Sequence, residues 1–173
     1  KSVRTIFGDG AAATVISAEE ENGILDFILG TDGRGYNKLI VPAGGIRKAK
    51  TSETSKEVSD DSGNTRSEDH LFMDGAEIFS FTLETVPALV KATLEKNELS
   101  MEQIDLFVFH QANKYMLEFL RKTIRIPQEK YYVNMADVGN TVSSTIPIAL
   151  RRAEQDGILK CGMKIMLVGF GVG

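Results

Sequence analysis

The chain has 173 residues, 20 Lys+Arg against 24 Asp+Glu, a formal net charge of −4 and 42% hydrophobic residues, values that suit one soluble domain with a core large enough to need no disulfide. The mild acidity argues against broad nucleic-acid binding, which needs a basic face, and a single Cys excludes an internal disulfide framework or a Cys-based zinc site. No run approaches the roughly 20 apolar residues of a membrane helix, and a first residue of Lys1 rather than Met reads as part of a longer chain.

Taken in chain order, residues 5–18 read as a strand interrupted early. Phe7-Gly8-Asp9-Gly10 is a turn signal, and the small apolar run after it suits a strand covered on both faces. Asn22-Gly23 signals a hairpin turn, and Ile24 to Leu29 a second strand. Residues 47–70 are rich in charge, Ser and Thr and hold no Leu, Ile or Phe, which predicts a polar surface excursion, either plainly solvated or a lid. Asp74 and Glu77 have capping-box-like spacing, and Ile78, Leu83, Val86, Val90 and Leu94 recur at helical spacing. A long helix over 74–96 follows, which Pro87 should kink or break. Ser100 and Gln103 open a short helical turn. Leu106 to Phe109 is a short apolar strand, 113–125 an amphipathic helix, and Tyr131 to Asn134 an extended piece. Residues 141–155 read as a helix with Pro147 near its first turns, Gly157 as its stop, and Lys164 to Val168 as a buried strand before Gly169-Phe170-Gly171-Val172-Gly173. Alternating strands and helices predict an α/β layer whose ligand-binding residues gather at the carboxyl ends of strands.

Two residues stand where chemistry could occur. His110 closes the 106–109 strand, and a neutral imidazole there can donate one hydrogen bond and accept another; it can equally be a satisfied histidine at a strand end. Asn140, in Gly139-Asn140-Thr141, is either a turn or cap residue or an amide donor to a developing oxyanion. The closing glycines can be a tight turn or can let backbone N–H groups approach a substrate. Gly8-Asp9-Gly10 is a weak phosphate-cradle signal because no helix follows it. Cys161 lies in a polar turn with nothing to activate it as a nucleophile, and His70 has only loop context, so no metal site is expected.

Together, Phe7-Gly8-Asp9-Gly10-Ala11-Ala12-Ala13, Met73-Asp74-Gly75, His110-Gln111-Ala112-Asn113, Gly139-Asn140-Thr141 with Ile146-Pro147, and Gly169-Phe170-Gly171-Val172-Gly173 resemble, in order and spacing, the C-terminal half of ketoacyl-ACP synthase III. The resemblance covers essentially the whole chain. It implies an α/β thiolase-like fold, C-terminal half, with a mixed sheet and helices on its faces, in a homodimeric, cytoplasmic condensing enzyme of fatty acid biosynthesis. It also implies that the nucleophilic Cys lies in an absent N-terminal half, that the last strand is missing, and that the chain alone is inactive and exposes an apolar face.

The same resemblance assigns His110 and Asn140 as catalytic donors to a thioester oxygen, with His110 neutral and protonated on its outer nitrogen. It places Gly171 and Val172 at a second, backbone oxyanion site. It puts Gly75, Ala76, Ala112, Asn113 and Phe170 along the substrate, and Arg121, Lys122 and Arg125 where acyl carrier protein docks. No resident cofactor or metal is implied; the coenzyme A thioester and the carrier's phosphopantetheine are substrates. Neither nucleic acid nor membrane is an expected partner. The family often has Asn where Ala76 stands and basic residues where Ser80 and Tyr115 stand. These departures leave open a related enzyme of specialised polyketide-type synthesis, or a non-catalytic partner subunit of the same fold.

Overall fold

The structure, a computed structural model, describes residues 3–18, 23–61 and 63–171. Its centre is a parallel sheet of three strands, β5 (Leu106–Phe109), β6 (Tyr131–Tyr132) and β7 (Ile165–Val168), in the order β6-β5-β7. Preceding them are two antiparallel ribbons: β1 (Leu39–Ile40) with β4 (Phe72–Met73), and β2 (Val58–Ser59) with β3 (Thr65–Arg66). Among the described residues three α-helices complete the fold: α1 (Gly75–Lys96), α2 (Lys114–Ile124) and α3 (Thr145–Gln155).

The sheet separates two apolar layers because side chains alternate across a strand. Phe107 and Phe109 point into a cluster with Val86, Val90 and Leu94 of α1 and Met116, Leu117 and Leu120 of α2. Leu106 and Val108 point to the other side, where Ala149 and Ala153 of α3 lie against them. Every residue of β5 is buried, as a central strand covered on both faces requires. The expected mixed sheet is corrected here. Each connection between neighbours of this sheet carries helix across its face, which returns the chain parallel, and among the described residues antiparallel pairing lies outside this sheet, in the two ribbons and the isolated Gly45–Lys48 bridge.

Helix α1 begins where Asp74 caps it, its carboxylate accepting from Glu77 N–H at 3.3 Å. It runs past Pro87 as one element instead of breaking. A helix-interior proline costs about 3 kcal/mol. Val86, Val90 and Leu94 are buried on one stripe on both sides of it, and each contributes about 1.5–3 kcal/mol on burial, so packing outweighs the lost backbone bond. Helix α2 is capped by Asn113, whose Oδ1 accepts from Met116 N–H at 2.9 Å, and closes on Arg125 in the left-handed region at φ 64°. The expected 141–155 helix starts late: Val142–Ser144 is a 3₁₀ turn, and α3 begins at Thr145, leaving Pro147 in its first turn.

The early strands do not form. Residues 10–18 and 23–29 carry no strand, and Val15, Ile16, Phe27 and Leu29 are exposed. A strand needs a neighbour's N–H and C=O groups in a continuous ladder, and the pairing found beside these segments is the isolated Phe7–Asn140 bridge. Asn22 of the expected hairpin lies outside the described residues. Residues 23–29 are tethered instead to the end of α1. The Asn97 amide accepts from Asp26 N–H at 3.0 Å and donates to Asp26 O at 2.9 Å, and Lys96 Nζ donates to Phe27 O.

Segment 47–70 is ordered by local polar bonds. Thr54 and Thr51 bond reciprocally, Ser55 Oγ bonds Asp69, and Asp60 accepts from Asn64 and Arg66 at the tip of the β2–β3 ribbon. Ala43 N–H donates to Glu68 O and ties the segment to the chain just before it.

Candidate active site

His110 follows β5 directly. Its N–H donates to Val168 O at 2.8 Å, so it sits at the carboxyl end of the sheet beside the start of the glycine-rich run. The Phe170 ring meets the imidazole edge-on at 5.3 Å between centroids. Behind His110, the buried Gln111 donates from Nε2 to Phe109 O at 2.6 Å and accepts Asn134 N–H on Oε1 at 2.9 Å. That amide bonds the end of β5 to the segment after β6 and holds the backbone on which His110 is mounted.

Asn140 reaches the same place by a different route. Its backbone pairs with the start of the chain: Asn140 N–H donates to Ile6 O and Gly8 N–H to Asn140 O, both at 3.0 Å. The glycines are required there. A Cβ on Gly8 would lie 1.8 Å from Val138 O, and one on Gly139, whose φ is 63°, would lie 2.9 Å from Ile6 O. Gly10 packs on Thr141, where a Cβ would sit 2.7 Å from Cγ2. The Gly8-Asp9-Gly10 motif is therefore a clamp on the asparagine loop.

The side chains join through one hydrogen-bonded path. Asn140 Oδ1 accepts Val142 N–H at 2.8 Å. Val142 O accepts the Thr145 hydroxyl at 2.9 Å, and Thr145 Oγ1 lies 2.7 Å from His110 Nδ1. Val142 is held at φ 57°, a left-handed conformation costly for a β-branched residue that these bonds at either end maintain. Because Oδ1 is committed to Val142 N–H, the Asn140 amino group faces away from that turn. It has no hydrogen-bond partner among the described residues. Burial pushes the His110 pKa below its ordinary value, opposed by the Val142 backbone, so the ring is neutral near pH 7. A neutral imidazole and a free carboxamide in one half-buried site can stabilise negative charge on a substrate oxygen.

The other candidate residues are placed as follows. Gly75 and Ala76 open α1 and are exposed; α1 and α2 meet in their first turns, where Phe79 stacks on Tyr115 at 5.8 Å. Ala112 is buried, and Asn113 spends its Oδ1 on capping α2. Gly171 follows Phe170 at φ 138°, and Val172 lies outside the described residues. Lys122 and Arg125 are exposed. The Arg121 guanidinium bonds Glu118 and Ile126 O and so closes the end of α2. Cys161 is exposed in the turn before β7. That strand rises about 3.3 Å per residue, which puts Cys161 at the opposite end of the sheet from His110. His70 is exposed, its Nδ1 accepting Ser67 N–H at 3.2 Å. Among the described residues no three metal-ligating side chains cluster. Sequence reasoning missed Thr145 and Val142, because a threonine in an apolar helical pattern reads as packing. The repeated glycines at 8, 10 and 139 were the available signal for the clamp.

A three-layer α/β domain with a histidine and an asparagine brought together at the carboxyl end of its sheet is the architecture of condensing enzymes of the thiolase type. More particularly, residues 94–173 match the family model for the 3-oxoacyl-[acyl-carrier-protein] synthase III C terminal, and residues 1–33 match the model for 3-oxoacyl-[acyl-carrier-protein] synthase III. The chain is 38% identical over 168 residues to the beta-ketoacyl-[acyl-carrier-protein] synthase III of Clostridium acetobutylicum, covering 97% of this chain and 49% of that protein. To the Campylobacter fetus enzyme it is 37% identical over 173 residues, covering 100% and 50%. A crystal structure of a 3-oxoacyl-(acyl-carrier-protein) synthase III superposes with a TM-score of 0.93 at 47% identity, over 99% of this chain and 51% of that one. The Thermus thermophilus synthase III gives 0.78 at 32%, over 99% and 50%. The chain thus spans about half the length of the curated relatives it matches. The expectation of a C-terminal half, for both family and fold, is corrected by the second family model: the likeness extends over 1–33 as well as over the C-terminal domain.

Proposed function

We propose that this chain contributes the histidine–asparagine side of a ketoacyl-ACP synthase III condensing site. The reaction joins an acyl group derived from acyl-CoA to malonyl-ACP in fatty acid biosynthesis. Malonyl decarboxylation breaks the bond to the carboxylate, releases carbon dioxide and leaves an enolate; its carbon attacks the acyl thioester carbonyl, and as the new C–C bond forms the C–S bond breaks and the thiolate leaves. Negative charge gathers on the malonyl thioester oxygen. The Asn140 amino group donates to that oxygen, and His110 provides the second polar contact. Phe170 packs the imidazole and limits water beside it, and the N–H groups of Gly171 and Val172 are the proposed donors to the acyl thioester oxygen. Gly75, Ala76, Ala112 and Asn113 line the approach of the pantetheine arm. Lys122 and Arg125 attract the acidic carrier protein, with Arg121 fixing the helix that bears them. Acyl-CoA and acyl carrier protein are then the partners, and the working form is a homodimer in the cytoplasm. No helix among the described residues is long and apolar enough to cross a membrane.

The observation that carries this reading is the unbroken path from His110 through Thr145 and Val142 to Asn140. It ties two residues distant in sequence to one small volume. The test is malonyl-ACP decarboxylation by the complete condensing enzyme carrying Asn140→Ala or His110→Ala. Loss of one oxyanion donor costs about 10²–10³ in rate, so each variant should fall by that order with acyl-CoA binding retained. Decarboxylation at the unsubstituted rate in either variant refutes the assignment.

A further inference from the structure

Thr145 lies at the first position of α3 and is buried. Its hydroxyl makes two short contacts, 2.9 Å to Val142 O and 2.7 Å to His110 Nδ1. A hydroxyl has one proton and can donate once, and a carbonyl oxygen can only accept. Turning the proton toward His110 would leave two oxygens facing each other at 2.9 Å with no hydrogen between them. Both contacts are hydrogen bonds only if Thr145 donates to Val142 O and accepts from a proton on Nδ1. Val142 O also takes the Thr145 backbone N–H, and it can accept both bonds.

We propose that Thr145 is a positioning residue that sets the resting tautomer of His110, placing the proton on Nδ1 and leaving Nε2 bare. This deepens the condensing-site reading and rests on it. It also reverses the protonated outer nitrogen implied by the family resemblance. In this tautomer the resting Nε2 presents a lone pair. It can accept a proton from a thiol or water, and it can donate to a thioester oxygen only after it has been protonated. The depressed basicity of the buried ring keeps the neutral form, in which the choice of nitrogen matters.

The chain carries its own control. His70 accepts Ser67 N–H on Nδ1, so its neutral ring carries the proton on Nε2. Of the two histidines in the chain, one should therefore show each tautomer. The experiment is long-range ¹H–¹⁵N NMR of the imidazoles above neutral pH, assigned with His70→Gln. The expected result is a protonated Nδ1 and bare Nε2 for His110, with the reverse for His70. Thr145→Ser keeps the hydroxyl and should keep the pattern; Thr145→Val removes it and should lose the Nδ1-protonated signal. An Nε2-protonated His110 in the unsubstituted protein, or an unchanged pattern in Thr145→Val, overturns the proposal. If Thr145→Val does not fold, the unsubstituted protein and Thr145→Ser decide: agreement on Nδ1–H supports the proposal and disagreement overturns it. The readout needs no turnover. Full decarboxylation in Asn140→Ala with the expected tautomer would sink the condensing-site reading, and a wrong tautomer would sink this one.

Discussion

Replacing Gly8 by alanine tests whether the start of the chain builds the site. The added methyl would lie 1.8 Å from Val138 O, a backbone atom that cannot swing aside as a side chain can. Either residues 6–10 or the 138–141 loop must move. The two backbone bonds between them, Gly8 N–H to Asn140 O and Asn140 N–H to Ile6 O, would then weaken or break. Each contributes about 0.5–1.5 kcal/mol net, so a loss of roughly 1–3 kcal/mol is expected in urea unfolding. The functional loss should be larger in proportion, because a displacement of about 1 Å in a reacting group can cost on the order of 10²-fold in rate. Denaturation midpoints and malonyl-ACP decarboxylation should be measured on the same preparations. Unchanged stability together with unchanged rate would refute the clamp. A comparable loss from Gly23→Ala, where nothing lies within 4 Å of an added Cβ, would show that the effect was not specific.

Two other predictions concern the acid limit and the tether. Burial holds His110 below its ordinary 6.5, so the unfolded chain takes up this proton first as pH falls. His110 therefore contributes stability that is present above pH 6.5 and lost as pH drops through the folded value; His110→Gln should flatten that part of the stability profile, and a profile parallel to the unsubstituted protein's would refute it. Asn97→Ala removes both amide bonds to residue 26, so proteolysis near Phe27 and Leu29 should speed up several-fold while the midpoint of global unfolding moves by about 1 kcal/mol or less; cleavage at the original rate would show that the tether lies elsewhere.

What could be read from the residues follows from how local each signal is. Strand β5 and helix α2 are legible because a wholly apolar tetrapeptide and a one-sided apolar stripe are complete statements about burial. The polar character of 47–70 is legible for the same reason, although its ribbon is built from Asx and hydroxyl bonds that have no periodicity. The first 30 residues mislead. Their apolar run matches a covered strand, but a strand exists only beside another, and pairing is not written in the run itself. Pro87 misleads in the opposite direction, because the stripe beneath it outweighs a local penalty. At the site, His110 and Asn140 each have an ordinary local explanation; their partnership became visible only through a family resemblance, and its physical basis, Thr145, required coordinates.

The bridge between Phe7 and Asn140 has a consequence for the order of assembly. Strands β5, β6 and β7 and the helices between them span 106–168 and close over modest separations. Joining residue 7 to residue 140 requires a loop more than twice as long, and the entropy of that closure is offset by very few bonds. The sheet and its helices should condense first, with the asparagine loop captured last. By the same reasoning that capture is the first to be released under mild denaturant, so the chemistry should fail while the domain is still folded.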